Sequence, residues 1–182
     1  MSISPKLISS LENLALEVKN HRQQGKKIVL TQGSWDMVHV GHARYLAEAK
    51  AQGDILIVGV DSDDKVKQRK GPGRPIVPEC ERLEMLTHLS AVDYVILKDL
   101  AWPKFALIQA VKPDVLVATK ETYGEESKLA AVKKICGELV VLKPMATTST
   151  SAKIRLVQFG AAKQIEIKLL KAIEDVLAEY KK

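Results

Sequence analysis

The chain has 182 residues, 46% apolar and 27% charged, which suits one domain with a sizeable core and argues against disorder. It has no apolar run of the roughly 18–20 residues a membrane span needs, no basic-then-apolar leader at its start, and only two cysteines, Cys80 and Cys136, without CxxC spacing, so the expectation is a cytoplasmic protein with reduced thiols and no membrane partner. A net charge of +6 favours anionic partners such as phosphorylated metabolites, while 4% aromatic residues and dispersed lysines argue against nucleic acid.

Ser4-Pro5 reads as an N-cap followed by proline at the first helical position, with Gly25 as the stop. The stripe Leu7, Leu11, Leu14, Val18 between them predicts that residues 1–25 form a helix packed on the domain. Five short β-branched runs follow: Lys26–Gln32, Ile55–Val60, Tyr94–Leu97, Val115–Ala118 and Glu138–Leu142. Continuous apolar runs of this length read as strands buried on both faces. Helical patterns lie between them at His42–Gln52, Glu79–Ser90, Pro103–Val111 and Glu125–Cys136. The alternation predicts an α/β domain over residues 26–159, a doubly wound, five-stranded, Rossmann-like parallel sheet. Beyond Gly160, the spacing of Ile165, Leu169, Ile173, Val176 and Tyr180 predicts a helical extension over residues 160–182, which braces the fold or, as the preferred expectation, makes a homodimer.

The segment TQGSWDMVHVGHARYL, Thr31–Leu46, starts at the carboxyl end of the first of these runs and enters the first long helix. In an open parallel sheet this is where ligands bind. Gly33 permits close backbone approach, and the helix N-terminal amides beside His42 suit phosphate oxygens. His39 and His42 stand one turn apart. As a metal pair they lack a third ligand among adjacent Cys, Glu or His residues, so no metal site is expected. Taken singly, Gly71–Pro75 is turn chemistry, the Lys65–Lys70 cluster a solvated face, Thr147–Ser151 a helix N-cap, and Trp35 a packing residue. Asp36 reads equally as a turn-ordering or a substrate-touching group.

The HxGH string after a strand resembles the nucleotidyltransferase superfamily that includes the cytidylyltransferases and pantetheine-phosphate adenylyltransferases. The wider string TQGSWDMVHVGHARYLAEAKAQGD is similar to the adenylyltransferase domain of ADP-heptose synthases. The likeness runs on through Ser62-Asp63, Val66-Lys67, Lys70-Gly71, Arg74-Pro75, Pro78, Arg82, Ala91-Val92-Asp93 and Pro113-Asp114 to Ser149–Arg155, covering roughly residues 20–157.

The resemblance implies transfer of AMP from ATP to a sugar 1-phosphate, heptose 1-phosphate-like, with release of pyrophosphate. It implies that His39, His42 and Lys70 act on the phosphates, and that Gly33, Ser34, Trp35, Gly41, Ser149, Thr150, Ser151 and Arg155 bind the nucleotide. Asp36, Lys67 and Arg74 would face the acceptor, and Mg2+ would accompany ATP through phosphates and water. Two departures stand out. Val117–Thr122 lacks the glycine pair of a VKGGD-like segment, and Gln32 and Ser34 replace common Asn and Cys. A CTP-dependent enzyme acting on a phospho-alcohol such as glycerol 3-phosphate, or an FAD-synthetase-like adenylyltransferase, keeps the same fold and remains an alternative.

Overall fold

The computed structural model describes residues 4–119, 131–143, 145, 154, 157, 159–160, 163–171 and 173. The chain divides into two compact units, Met1–Ala146 and Thr147–Lys182.

The first unit is built on one parallel sheet of six strands in the order β1-β4-β3-β2-β5-β6: β1 Leu7–Ile8, β2 Ile28–Gly33, β3 Ile55–Asp61, β4 Tyr94–Lys98, β5 Val115–Ala118 and β6 Glu138–Val141. The helices are α1 Leu11–Gln23, α2 Val40–Lys50, α3 Asp63–Lys70, α4 Glu79–Thr87 and α5 Ala106–Val111. All five expected strands form, and their apolar runs divide by alternation between two cores. Ile28, Leu30 and Ile57 face α1 and α5, together with Leu14, Val18, Leu107 and Ile108. Val29, Leu56, Val58 and Val95 face the opposite way, with Leu46, Ala49, Leu83 and Leu86 of α2 and α4. Each fully buried Val, Leu or Ile among them contributes ~1.5–3 kcal/mol. The chain steps outward from β2 to β3 to β4, then returns to the other side of β2 as β5, so the switch point lies beyond the carboxyl ends of β2 and β5.

The sheet has one strand more than the sequence reading expects, and it comes from the N-terminal segment. Leu7 and Ile8 pair with Val95 and Ile96, and the Val95 amide donates to the Lys6 carbonyl across 2.8 Å. Ser4-Pro5 is therefore not a helix start. Ser10 is the cap, its Oγ accepting from the Asn13 amide at 3.1 Å, and the helix runs from Leu11. Leu14 and Val18 of the expected stripe are buried, while Leu7 packs from a strand instead.

A second difference lies between β3 and α4. The Lys65–Lys70 cluster, for which the sequence reading expects no helix, lies in helix α3, Asp63–Lys70. Only Val66 of DDKVKQRK is buried, so no apolar stripe announces it. Ser62 caps its start, its Oγ accepting from the Lys65 amide at 3.3 Å. Gly71 ends it at φ +93°, a left-handed conformation that glycine adopts without a side-chain clash.

In the second unit, residues 163–171 are helical. Ile165, Ile167, Leu169, Leu170 and Ile173 are each at least half exposed within the single chain.

Candidate active site

The loop from β2 to α2 carries the chemistry, and its shape is set by two residues at positive φ, Trp35 and Met37, both at 52°. For L residues this conformation costs about 1–2 kcal/mol apiece, so the surroundings must hold it. Trp35 is one clamp. Its indole N–H donates to the Gly59 carbonyl at 3.1 Å, and the ring lies against Gly33, where an added Cβ would meet its Cε2 at 3.2 Å. With 5% of its surface exposed, Trp35 belongs to the core. Gly33 is small for the sake of this ring.

Asp36 is the second clamp. It is 2% exposed, and its carboxylate accepts from the amides of Ile76 and Val77 at 3.0 Å each and from Arg74 Nε at 2.8 Å, with Arg74 Nη2 at 2.7 Å. Burial raises its pKa. The Val77 and Ile76 amides and the Arg74 charge more than offset this, and the net value lies below the ordinary aspartate range. Of the two readings of Asp36, the bonds display the turn-ordering one: with Arg74 it pins the segment after Gly73 onto the loop after β2. Lys67, expected beside them, pairs instead with Asp64 at 3.4 Å. Both side chains are more than half exposed, a pairing worth little.

The two histidines open α2. His39 is its N-cap, with Nδ1 accepting from the Gly41 amide at 3.0 Å, and His42 Nδ1 accepts from the His39 amide at 3.3 Å. The Gly41 amide is therefore committed to the cap. A ring nitrogen that accepts a hydrogen bond carries no proton, so each imidazole holds its proton on Nε2. The capping box fixes both tautomers and makes each ring a donor at Nε2. The ring centroids are 4.1 Å apart, and the edge of Trp35 holds His42 at 5.6 Å.

Lys70 reaches this loop from the end of α3, its Nζ donating to Ser34 Oγ at 2.8 Å. Desolvation, then the nearby charges of Arg69 and Arg74, lower its pKa below the ordinary lysine value against the opposing pull of Asp36 and Asp61. An anion placed here relieves that repulsion. Ser34, Lys70, His39 and His42 are thus brought to one end of the sheet as a hydroxyl, an ammonium and two imidazole donors, a set suited to phosphate oxygens. Ser149, Thr150, Ser151 and Arg155 lie outside the described residues.

Several residues given no role in the sequence reading also shape this end of the sheet. Asp61, at the end of β3, is buried between Lys98 Nζ at 2.9 Å and Arg69 Nη2 at 2.8 Å, although its Oδ2 makes no well-aligned hydrogen bond. Burial raises its pKa, but Lys98 and Arg69 prevail and hold it below the ordinary range. Arg82 is fully buried in α4; the sequence hints are its place in the family resemblance and its position four residues before Leu86 on an apolar face. Arg82 also lines, with Trp35, Met37, Val38, Val77 and Met85, a cleft of about 420 Å³ whose other polar residues are Glu81, Glu84 and His88.

Similarity to known proteins agrees with this geometry. The family model described as cytidylyltransferase-like matches residues 30–157. The bifunctional protein HldE of Helicobacter pylori strain G27 is 51% identical over 127 residues, covering 67% of this chain and 26% of that protein. HldE of a Nitratiruptor species is 39% identical over 148 residues, 81% of this chain and 32% of that protein. The chain thus spans about a third or less of the length of these curated relatives. Among solved structures, the lipopolysaccharide core biosynthesis protein of Thermoplasma volcanium superposes with a TM-score of 0.59 at 30% identity, over 67% of this chain and all of that one. With a phosphate-suited donor set at the carboxyl end of a doubly wound sheet and a family match over most of its length, the chain belongs to the cytidylyltransferase-like family of nucleotidyltransferases.

Proposed function

We propose that the chain transfers AMP from ATP to a sugar 1-phosphate of the heptose type and releases pyrophosphate. The observation that carries the transfer chemistry is the capping box of His39 and His42 at the start of α2, in which each Nδ1 accepts from a backbone amide and so leaves the proton on Nε2. In the reaction an oxygen of the acceptor phosphate attacks the α-phosphorus of ATP. The bond from that phosphorus to the oxygen bridging the β-phosphorus breaks, and the electron pair leaves with pyrophosphate. The acceptor dianion is already a nucleophile, so the protein's task is to position two anions and neutralise charge on the oxygens. His39, His42 and Lys70 would supply that neutralisation, and Ser34 would add a hydroxyl.

Magnesium enters in this reading as part of the ATP substrate. The donor set fits that arrangement: Ser34, Lys70, His39 and His42 are cationic or neutral, and the Asp36 carboxylate is bound to Arg74. The ion would take its ligands from phosphates and water. Similarity to a lipopolysaccharide core biosynthesis protein and to the adenylyltransferase domain of ADP-heptose synthases supports a sugar acceptor. The same reading has the reaction run in the cytoplasm, where ATP is supplied, and has the C-terminal apolar surface pair two copies.

The test is a pyrophosphate-release screen of ATP and CTP against heptose 1-phosphate, glycerol 3-phosphate and other phosphorylated acceptors. The expected result is turnover with ATP and the sugar 1-phosphate. Preferential use of CTP with glycerol 3-phosphate would overturn the reading in favour of a cytidylyltransferase, and turnover with FMN in favour of an FAD-synthetase-like enzyme.

A further inference from the structure

We propose that Arg82 is a positioning residue for nucleotidyl transfer, holding three segments of the site in register without touching substrate. Its side chain has no exposed surface, yet its guanidinium reaches a different segment in each of three directions. Nη1 donates to the Ser34 carbonyl in the loop after β2. Nε donates to the Val77 carbonyl at 3.0 Å, and Nη2 donates to Asp63 Oδ1, the first residue of α3, at 2.7 Å.

Each of these segments carries or anchors a site group. Ser34 is the partner of Lys70 and precedes the histidines. The Val77 amide is bound to Asp36, so its carbonyl and its amide tie one residue to two hubs. Asp63 starts the helix that ends at Lys70, and its own amide donates to Glu79 Oε2 of α4 at 2.7 Å. Helix α4 is thus the post from which the Ser34 loop, the segment after Pro75 and α3 are all held, and Arg82 is its point of contact with each.

Stability alone gives no reason for a guanidinium here. Desolvating a charge is expensive, and well-packed apolar groups usually serve a core as well or better. What a leucine or methionine lacks is a planar fork with donors in three fixed directions. Lysine keeps the charge but supplies a single, flexible nitrogen.

The assignment rests on the nucleotidyl-transfer reading for what is positioned, so the test pairs turnover with a readout that needs no substrate. Amide exchange is compared in the full chain, Arg82→Lys and Asp63→Ala. For Arg82→Lys, the Ile76 and Val77 amides and the amide at position 63 are expected to exchange about tenfold faster or more, while the amides of β2 and β3 stay within about twofold. For Asp63→Ala, only position 63 and the α3 amides are expected to accelerate, with Ile76 and Val77 still protected. With ATP and heptose 1-phosphate, Arg82→Lys is expected to lower kcat at least about tenfold and leave the KM for ATP nearly unchanged. Equal acceleration of strand and loop amides would reduce Arg82 to a core residue and overturn the proposal. So would unchanged exchange in the loops, or full turnover in Arg82→Lys. Should Arg82→Lys fail to fold, Asp63→Ala decides, and no change at position 63 would refute the link. A wild-type chain that releases no pyrophosphate with any acceptor would remove the functional reading and leave the exchange result standing.

Discussion

Lys70 Nζ and Ser34 Oγ lie 2.8 Å apart, which joins the end of α3 to the loop after β2 across 36 residues of sequence. The contact places an ammonium already crowded by Arg69 and Arg74 against the segment that leads to the two histidines.

The crowding has a consequence for pH. A lysine whose pKa is lowered by desolvation and by neighbouring cations loses its charge at a lower pH than a free lysine. The alkaline limb of kcat/KM, which reports the free enzyme, is therefore expected to fall before the ordinary lysine range. In Lys70→Arg that limb moves to higher pH, and in Lys70→Met turnover drops by about two orders of magnitude. An alkaline limb that stays in place in Lys70→Arg rules Lys70 out as its source.

At His39 the structure allows capping to be separated from chemistry. His39→Asn keeps a side-chain acceptor for the Gly41 amide and removes the Nε2 donor, whereas His39→Ala removes both. Turnover is expected to fall roughly 100-fold or more in each. Thermal stability should drop by the ~1 kcal/mol of a lost cap only in the alanine variant. Near-normal activity in His39→Asn and in His42→Asn would remove both histidines from the mechanism.

Asp36 is expected to matter first for stability. Asp36→Asn leaves Arg74, 13% exposed, without its charged partner, and a loss of ~3 kcal/mol is expected in urea unfolding at neutral pH. Because the folded pKa of Asp36 lies below the unfolded one, its contribution is fully present above the ordinary aspartate value and is lost as pH falls through the lowered value. The gap between wild type and Asp36→Asn should close on acidification through that window. A gap independent of pH would show that the carboxylate charge is not what stabilises.

The C-terminal helical segment is expected to pair two copies and take no part in catalysis. Ile165, Leu169 and Ile173 are 60%, 59% and 54% exposed, and Ile167 and Leu170 widen the apolar surface beyond a single stripe. Val176 and Tyr180, the rest of the expected stripe, lie outside the described residues. Light scattering should give a dimer for the full chain and a monomer for a chain ending at Gly160, with pyrophosphate release retained in both. A monomeric full chain would remove the pairing. Loss of turnover in a shortened chain that folds and keeps its oligomeric state would give the helix a catalytic part.

The central sheet was legible because its signal is local. Strands buried on both faces need apolar side chains at every position, so Ile28–Leu30, Leu56–Val60 and Val115–Ala118 stand out in the sequence as continuous runs. The HxGH string was legible for a related reason: a helix N-cap, a glycine and two imidazoles act within four residues of one another. Strand β1 and helix α3 were not. Two residues of pairing and one buried valine carry no period, and their conformations depend on partners elsewhere, Val95 for Leu7 and Glu79 and Arg82 for Asp63.

The sequence by itself determined the class of fold and the family, and it singled out the loop after β2 that carries His39 and His42. Only the tertiary structure decided which of the nearby polar residues hold the loop. Asp36, Arg74 and Trp35 read in sequence like members of a binding site and Arg82 was given no role, yet all four spend their polar groups on one another and on Ile76, Val77, Gly59, Ser34 and Asp63. Most of these bonds span 24 to 48 residues of sequence. Hydrogen bonds over such distances leave no periodic trace along the chain. They depend on desolvation and on direction in space, and both exist only after the strands and helices have packed.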